Sequence, residues 1–155
     1  MNNLFTDSEK YTGDLRKFDE VLSFIPFFTD IDEDDYIIYY PDRKFQYTNR
    51  FNDFIKTLFE AGLVEDYQDM LGYLKDTSFD MEASGCYSAW VREMNRTICR
   101  PDLLNAAGLP FIRKAFLTLI RLEKVIPGSW GIDVEVGTWL KLLRRLSAIR
   151  SEMAA

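Results

Sequence analysis

A mainly α-helical fold is expected from this chain: one compact domain over residues 1–155, built of about six or seven helices, with a possible short extended segment at 36–40. Three observations carry that expectation. Apolar residues recur at i, i+3, i+4 and i+7 through most of the chain, the period of a helix with one buried face. Pro101, Pro110, Pro127, Gly62, Gly108, Gly128 and Gly137 fall at or near the ends of those periodic segments. The chain has 155 residues, 47% of them hydrophobic and 15% aromatic. A domain of that size buries roughly 70% of the surface its unfolded chain exposes, so a core is within reach without staples.

Leu15, Phe18, Val21, Leu22 and Ile25 place a first helix over about Asp14 to Phe27, with Pro26 ending it or distorting its last turn. An acidic loop, Asp30 to Asp35, follows. Tyr36 to Tyr40 is aromatic or β-branched throughout and is closed by Pro41, a composition that favours a strand. No pairing partner is evident, so an extended segment lying on helices fits equally well. The second helix is the plainest: Phe51, Phe54, Ile55, Leu58 and Phe59 share one face, Thr48 or Asn49 can cap it, and Gly62 suits its end.

A third helix is expected over about Val64 to Lys75, carrying Tyr67, Met70, Leu71 and Leu74, then a loop from Thr77 to Gly85. The next helix, about Cys86 to Cys99, carries Trp90, Val91, Met94 and Ile98. Pro101 opens a short turn of helix through Ala107. Pro110 suits the first turn of a helix running to Lys124, with Ile112, Phe116, Leu119 and Ile120 on one side. Ser129 to Val136 reads as a short irregular or helical link. Gly137-Thr138 leads into the last helix, whose stripe is Trp139, Leu142, Leu143, Leu146 and Ile149, with Lys141, Arg144 and Arg145 opposite. The last two long helices are expected to pack on the Phe51–Phe59 helix.

Several function classes are excluded by composition. The chain has no histidine. Ser/His/Asp and Cys/His nucleophile systems and imidazole metal ligands are therefore absent. None of the Gly-rich phosphate loops, the dinucleotide-binding fingerprint or the nucleophile elbow occurs. Cys86 and Cys99 lack zinc-site spacing and read as small, buried apolar residues of a reduced protein rather than a redox pair. The first ten residues are polar and acidic, unlike a signal peptide, and no apolar stretch is long enough to span a membrane. A cytoplasmic location without cofactor, metal or membrane contact is the expectation.

Charge is unevenly spread. Residues 1–82 hold 8 Lys/Arg and 19 Asp/Glu, a net of −11, whereas residues 83–155 hold 11 and 6, a net of +5. Mutual packing of the two halves explains this as simple neutralisation. A basic surface offered to nucleic acid or to an acidic protein is the sharper alternative. Such a surface would draw on Arg113, Lys114, Arg121 and Lys124 of one helix and Arg144 and Arg145 of the next, adjacent if the two helices run antiparallel. The bland reading of Arg121 and Lys124 is a favourable interaction with a helix C-terminus. The carboxylates of Asp30 to Asp35 could suit a hard cation. They fail the EF-hand pattern, because Asp35 stands where its glycine is needed and Pro41 where its glutamate is needed. A solvated acidic loop is the simpler reading. Trp90, Trp130 and Trp139 read as core, with Ser129-Trp130-Gly131 singled out because it follows the Pro127-Gly128 turn.

Thr118-Leu119-Ile120-Arg121-Leu122-Glu123-Lys124 with Pro127-Gly128, followed by Gly137 to Leu146, resembles the signature of a small bacterial helical domain family of unknown function. Thr118, Arg121 and Gly128 match its first helix, and Leu143, Arg145 and Leu146 its second. Lys124 and Val125 depart from the usual arginine and phenylalanine, and Phe54 to Leu63 matches loosely. The resemblance, strongest over 110–150, implies a compact helical bacterial domain and no activity.

Three functions follow as expectations. The first is a non-catalytic protein-interaction or regulatory module with a protein partner. The second is a nucleic-acid or phosphoanion binder using the basic C-terminal face. The third is a small enzyme with a carboxylate/arginine site, which would need a buried, shifted acid in a cleft.

Overall fold

The computed structural model describes residues 15–42, 44–64 and 84–154. The helix expected over 64–75 and most of the loop after it lie outside the described residues. The fold is mainly helical, as expected. In chain order it comprises α1 (Leu15–Leu22), α2 (Ile25–Thr29), α3 (Glu33–Tyr36), β1 (Ile37–Tyr39), β2 (Phe45–Tyr47), α4 (Asn49–Glu60), α5 (Ser84–Cys99), α6 (Pro101–Leu104), α7 (Leu109–Val125), α8 (Ser129–Glu135) and α9 (Thr138–Ala154).

The first expected helix is two. Pro26 has no N–H to give the Leu22 carbonyl, and its ring would crowd that carbonyl. The chain therefore leaves α1 at Leu22 and restarts as α2, with Pro26 in the first turn where no donor is needed. The acidic run is not a plain loop either: Glu33 to Tyr36 form one helical turn, and the Asp35 carboxylate accepts from the Asp32 backbone N–H at 2.8 Å.

Tyr36–Tyr40 does contain a strand, and its partner is β2. The two pair antiparallel in the register Ile37 with Tyr47, Ile38 with Gln46 and Tyr39 with Phe45. β2 also alternates aromatic and polar residues, but three residues give too short a pattern to stand out from its neighbours. Thr48 locks this hairpin to the helices. Its N–H donates to the Tyr36 carbonyl at 2.9 Å, its hydroxyl donates to the Asp35 carbonyl at 2.6 Å, and its Oγ1 accepts from Phe51 N–H at 3.3 Å as the cap of α4.

The core is aromatic at its centre. Trp139 of α9 is fully buried, lies 5.4 Å from Phe54 and 5.9 Å from Phe51 edge-on, and stacks on Phe116 of α7 at 6.2 Å. The last helix thus reaches α4 as expected, through one large ring. α7 reaches the chain just after α4 through Arg113, whose Nε donates to the Leu63 carbonyl at 3.0 Å. Progress along α9 from Trp139 to Arg145 goes back along the preceding chain from Phe116 to Ala107, so α7 and α9 are antiparallel. Trp90 of α5 closes the far side, its indole N–H donating to Thr118 Oγ1 at 2.9 Å inside the core. Cys99 departs from expectation: it is an exposed free thiol, because the buried stripe of α5 runs through Trp90, Met94 and Ile98 and leaves the next residue outside.

Candidate functional site

Two regions bring chemically able side chains together. The first lies where the hairpin, the C-terminal end of α7 and the start of α8 meet. Pro127-Gly128 turns the chain sharply, with Gly128 in the left-handed region at φ 94°. That reversal aims the first N–H groups of α8 back at Glu123. Glu123 Oε2 accepts from Gly128 N–H at 2.9 Å, and Oε1 accepts from Trp130 N–H at 3.0 Å. The Tyr47 hydroxyl of β2 donates to the same Oε1 at 2.7 Å and in turn accepts from Gly131 N–H at 3.3 Å. One carboxylate therefore satisfies the orphan donors of a helix start and pins a strand to it.

Trp130 follows from this geometry. It is half-buried, its indole N–H donates to the Leu119 carbonyl at 3.1 Å, and its ring lies 5.0 Å from that of Tyr47. Lys44, Phe45, Tyr47, Glu123, Pro127 and Trp130 line a depression of about 510 Å³. Alongside, the Tyr36 hydroxyl donates to Glu135 Oε1 at 3.3 Å, and Gly131 leaves room for β1: a Cβ there would meet Ile37 Cδ1 at 3.0 Å.

The electrostatics keep these phenols protonated. Burial, then Glu135, pushes Tyr36 up to about 12. Burial, then the Glu123 hydrogen bond, holds Tyr47 well above the ordinary phenol range. Asp133 is pushed up to about 6 by burial; Glu123 adds to the rise and a hydrogen bond with Thr138 opposes it. A carboxyl in that range can exchange protons near neutrality. Asp133 is not on the lining of the depression, however, and the Glu123 oxygens are engaged by donors. What the region offers is a partly aromatic recess whose backbone N–H groups and Tyr47 hydroxyl are already satisfied by one another and by Glu123. Sequence reasoning singled out Trp130 but missed Tyr47 and Glu123, whose meeting depends on a separation of 76 residues.

The second region is basic. Of the six residues expected on one surface, Arg144 and Arg145 lie together on a depression of about 280 Å³, with Lys141 beside them. The helices are antiparallel as that surface required, but the antiparallel run sets Arg121 and Lys124 toward the opposite end of α7 from Ala107, which Arg145 touches. Arg113 and Lys114 have structural partners: the former binds the carbonyls after α4, and the Lys114 ammonium lies 4.1 Å from the centre of the Trp90 ring. Arg121 is half-buried and Lys124 exposed.

Among the described residues no group of three or more carboxylates or thiols is placed to hold a metal ion, and no helix is long and apolar enough to cross a membrane. Comparison with protein-family models, curated proteins and solved structures finds no match to this chain.

Proposed function

We propose that the chain is a non-catalytic protein-interaction module of the cytoplasm, docking a partner protein on the face formed by β1, the α7–α8 connection and α8. One observation carries the reading. Among the described residues the exposed large hydrophobic side chains include Tyr39 of β1, on the same strand side as Ile37, which packs at Gly131 of α8, Val125 and Ile126 before α8, and Ile132 of α8 with Val136 one turn on at its C-terminal end, while Ile38 and, just past β1, Tyr40 project from the other side of the hairpin. Tyr39 and Val136 are 62% and 60% exposed. Scattered apolar residues need no explanation, but a concentration on adjoining elements does.

The surroundings of the face are acidic: Asp30, Asp32, Glu33, Asp34 and Asp35 precede β1, Asp42 follows it and Glu135 stands on α8, all exposed. Charge complementarity points to a partner segment with apolar anchors flanked by lysine or arginine. β1 has β2 on one side only among the described residues, so an extended segment can add to its open edge. The similarity of residues 110–150 to a bacterial helical domain family belongs to the same reading.

The test is capture from nuclease-treated lysate by wild type and by an Ile132→Glu/Val136→Glu variant. Both positions are exposed, so circular dichroism should show the fold unchanged. A partner that binds wild type through a lysine- or arginine-flanked apolar segment and is lost on the variant supports the proposal. Equal capture by both, or loss of self-association in the variant with no other partner found, would overturn it.

A further inference from the structure

The basic depression lies apart from the hairpin face and does not depend on it. One wall is α9, where Lys141, Arg144, Arg145 and Ala148 fall at i, i+3, i+4 and i+7 and so share a side of the helix. The other wall is the junction of α5 and α6, with Ile98, Cys99, Pro101, Leu104 and Asn105. Three cations thus converge on a recess whose lining contains no carboxylate.

Stability accounts for only part of this. Arg145 is held rigidly: its side chain is 12% exposed, its Nε donates to the Ala107 carbonyl at 2.7 Å, and its Nη1 lies 3.6 Å from Glu152. Lys141 and Arg144 have no ion pair among the described residues, although Asp102 is near in sequence to the opposite wall and is engaged by Arg100 at 3.3 Å. Two cations without a carboxylate partner beside an anchored third repel one another, and an anion between them would relieve that repulsion. The charge balance suits a dianion, since Glu152 offsets part of Arg145. Guanidinium forks and the Asn105 amide suit tetrahedral oxygens. The apolar residues of the junction would take the body that carries the anion. The volume is at the small end of ligand sites, which run from roughly 300 to 1,000 Å³.

We infer that this depression binds a phosphomonoester group, the phosphate between Lys141, Arg144 and Arg145 and its apolar carrier against Ile98, Pro101 and Leu104. The phosphate can belong to a free small molecule or to the end of a nucleic-acid strand. The chemistry recognised is the same.

Cys99 is a built-in reporter, being exposed and on the lining. The experiment measures alkylation of Cys99 by iodoacetamide, mapped by mass spectrometry of its peptide, in the whole chain. The probes are inorganic phosphate, a nucleoside monophosphate and a 5′-phosphorylated dinucleotide, each against chloride at matched ionic strength. Phosphate and the mononucleotide should slow Cys99 alkylation at least fivefold, and the Lys141→Glu/Arg144→Glu variant should lose that protection. Protection by the dinucleotide alone assigns the phosphate to nucleic acid and keeps the site. Moderate salt should weaken all of these, because exposed charges are screened. Absence of protection by all three at millimolar concentration, or protection undiminished in the variant, would overturn the inference. Circular dichroism of the variant reports folding, and Cys99 in the variant without ligand gives the baseline rate.

Discussion

Replacing Glu123 by alanine should cost the fold about 2 kcal/mol, the sum of a lost helix cap and a lost cross-link to the hairpin. The magnitude follows from what the carboxylate holds. It accepts from the backbone N–H groups of Gly128 and Trp130 and from the Tyr47 hydroxyl, at 2.9, 3.0 and 2.7 Å. Hydrogen bonds to a charged group are worth roughly 1.5–3 kcal/mol each when dry, but these groups are only half-buried and water would recover part of the loss. Loss of an N-cap costs about 1 kcal/mol, and the Tyr47 bond adds about the same. Glutamine at 123 would keep one acceptor oxygen and turn a donor toward an N–H, so it should fall between wild type and alanine. The assay is urea unfolding followed by tryptophan fluorescence, with Tyr47→Phe completing a double-mutant cycle. The cycle should give a coupling of about 1 kcal/mol. A Glu123→Ala variant within about 0.5 kcal/mol of wild type would refute the idea that this carboxylate organises the α7–α8 turn.

Other outcomes test other parts of the fold. Thr118→Val keeps the volume of a fully buried residue but leaves the Trp90 indole N–H without its acceptor, so urea unfolding should show a loss of about 1–3 kcal/mol. Gly128→Ala places a Cβ at φ 94° where the nearest atom is Phe45 Cζ at 3.9 Å. Backbone strain alone should then cost about 1–2 kcal/mol in the same assay, without steric displacement of the hairpin. Asp133→Asn should change the pH dependence of stability. The Asp133 carboxyl binds its proton more tightly in the folded chain, near 6 against 3.8, so its ionisation opposes folding as pH rises through that window. The asparagine variant should be more stable than wild type by about 1 kcal/mol at pH 7.5, after allowance for solvent screening, and no more stable at pH 4. Thermal melts at the two pH values would show it, and an equal difference at both would contradict the cause given.

How much of this was legible in the sequence varied with range. The helix from Asn49 to Glu60 and the left-handed glycine after it were readable, with the cap narrowed to Thr48 or Asn49 and the structure choosing Thr48, because capping and amphipathic spacing act within a few residues. The same holds for α7 and α9, whose stripes are dense enough to locate both helices and their buried faces. The break at Pro26 was readable in kind but not in outcome. A proline shows where the ladder must fail, and only packing of Phe28 into the core shows that a second helix follows.

The site is different. Tyr36–Tyr40 was legible as extended, but its pairing with Phe45–Tyr47 was not, since three-residue strands have almost no pattern of their own and register is decided by the neighbours they bury. Neither Tyr47 nor Glu123 bears any local mark of the other. The basic residues show the same limit. Spacing alone put Lys141, Arg144 and Arg145 on one helical side, whereas the direction of α7 relative to α9 decided that Arg121 and Lys124 do not share their recess. Amphipathic period, caps and turn residues are local energies, and the sequence by itself determined the helices they build. Which polar groups meet across the chain depends on how the aromatic core around Trp139 closes, and that was decided only when the helices packed.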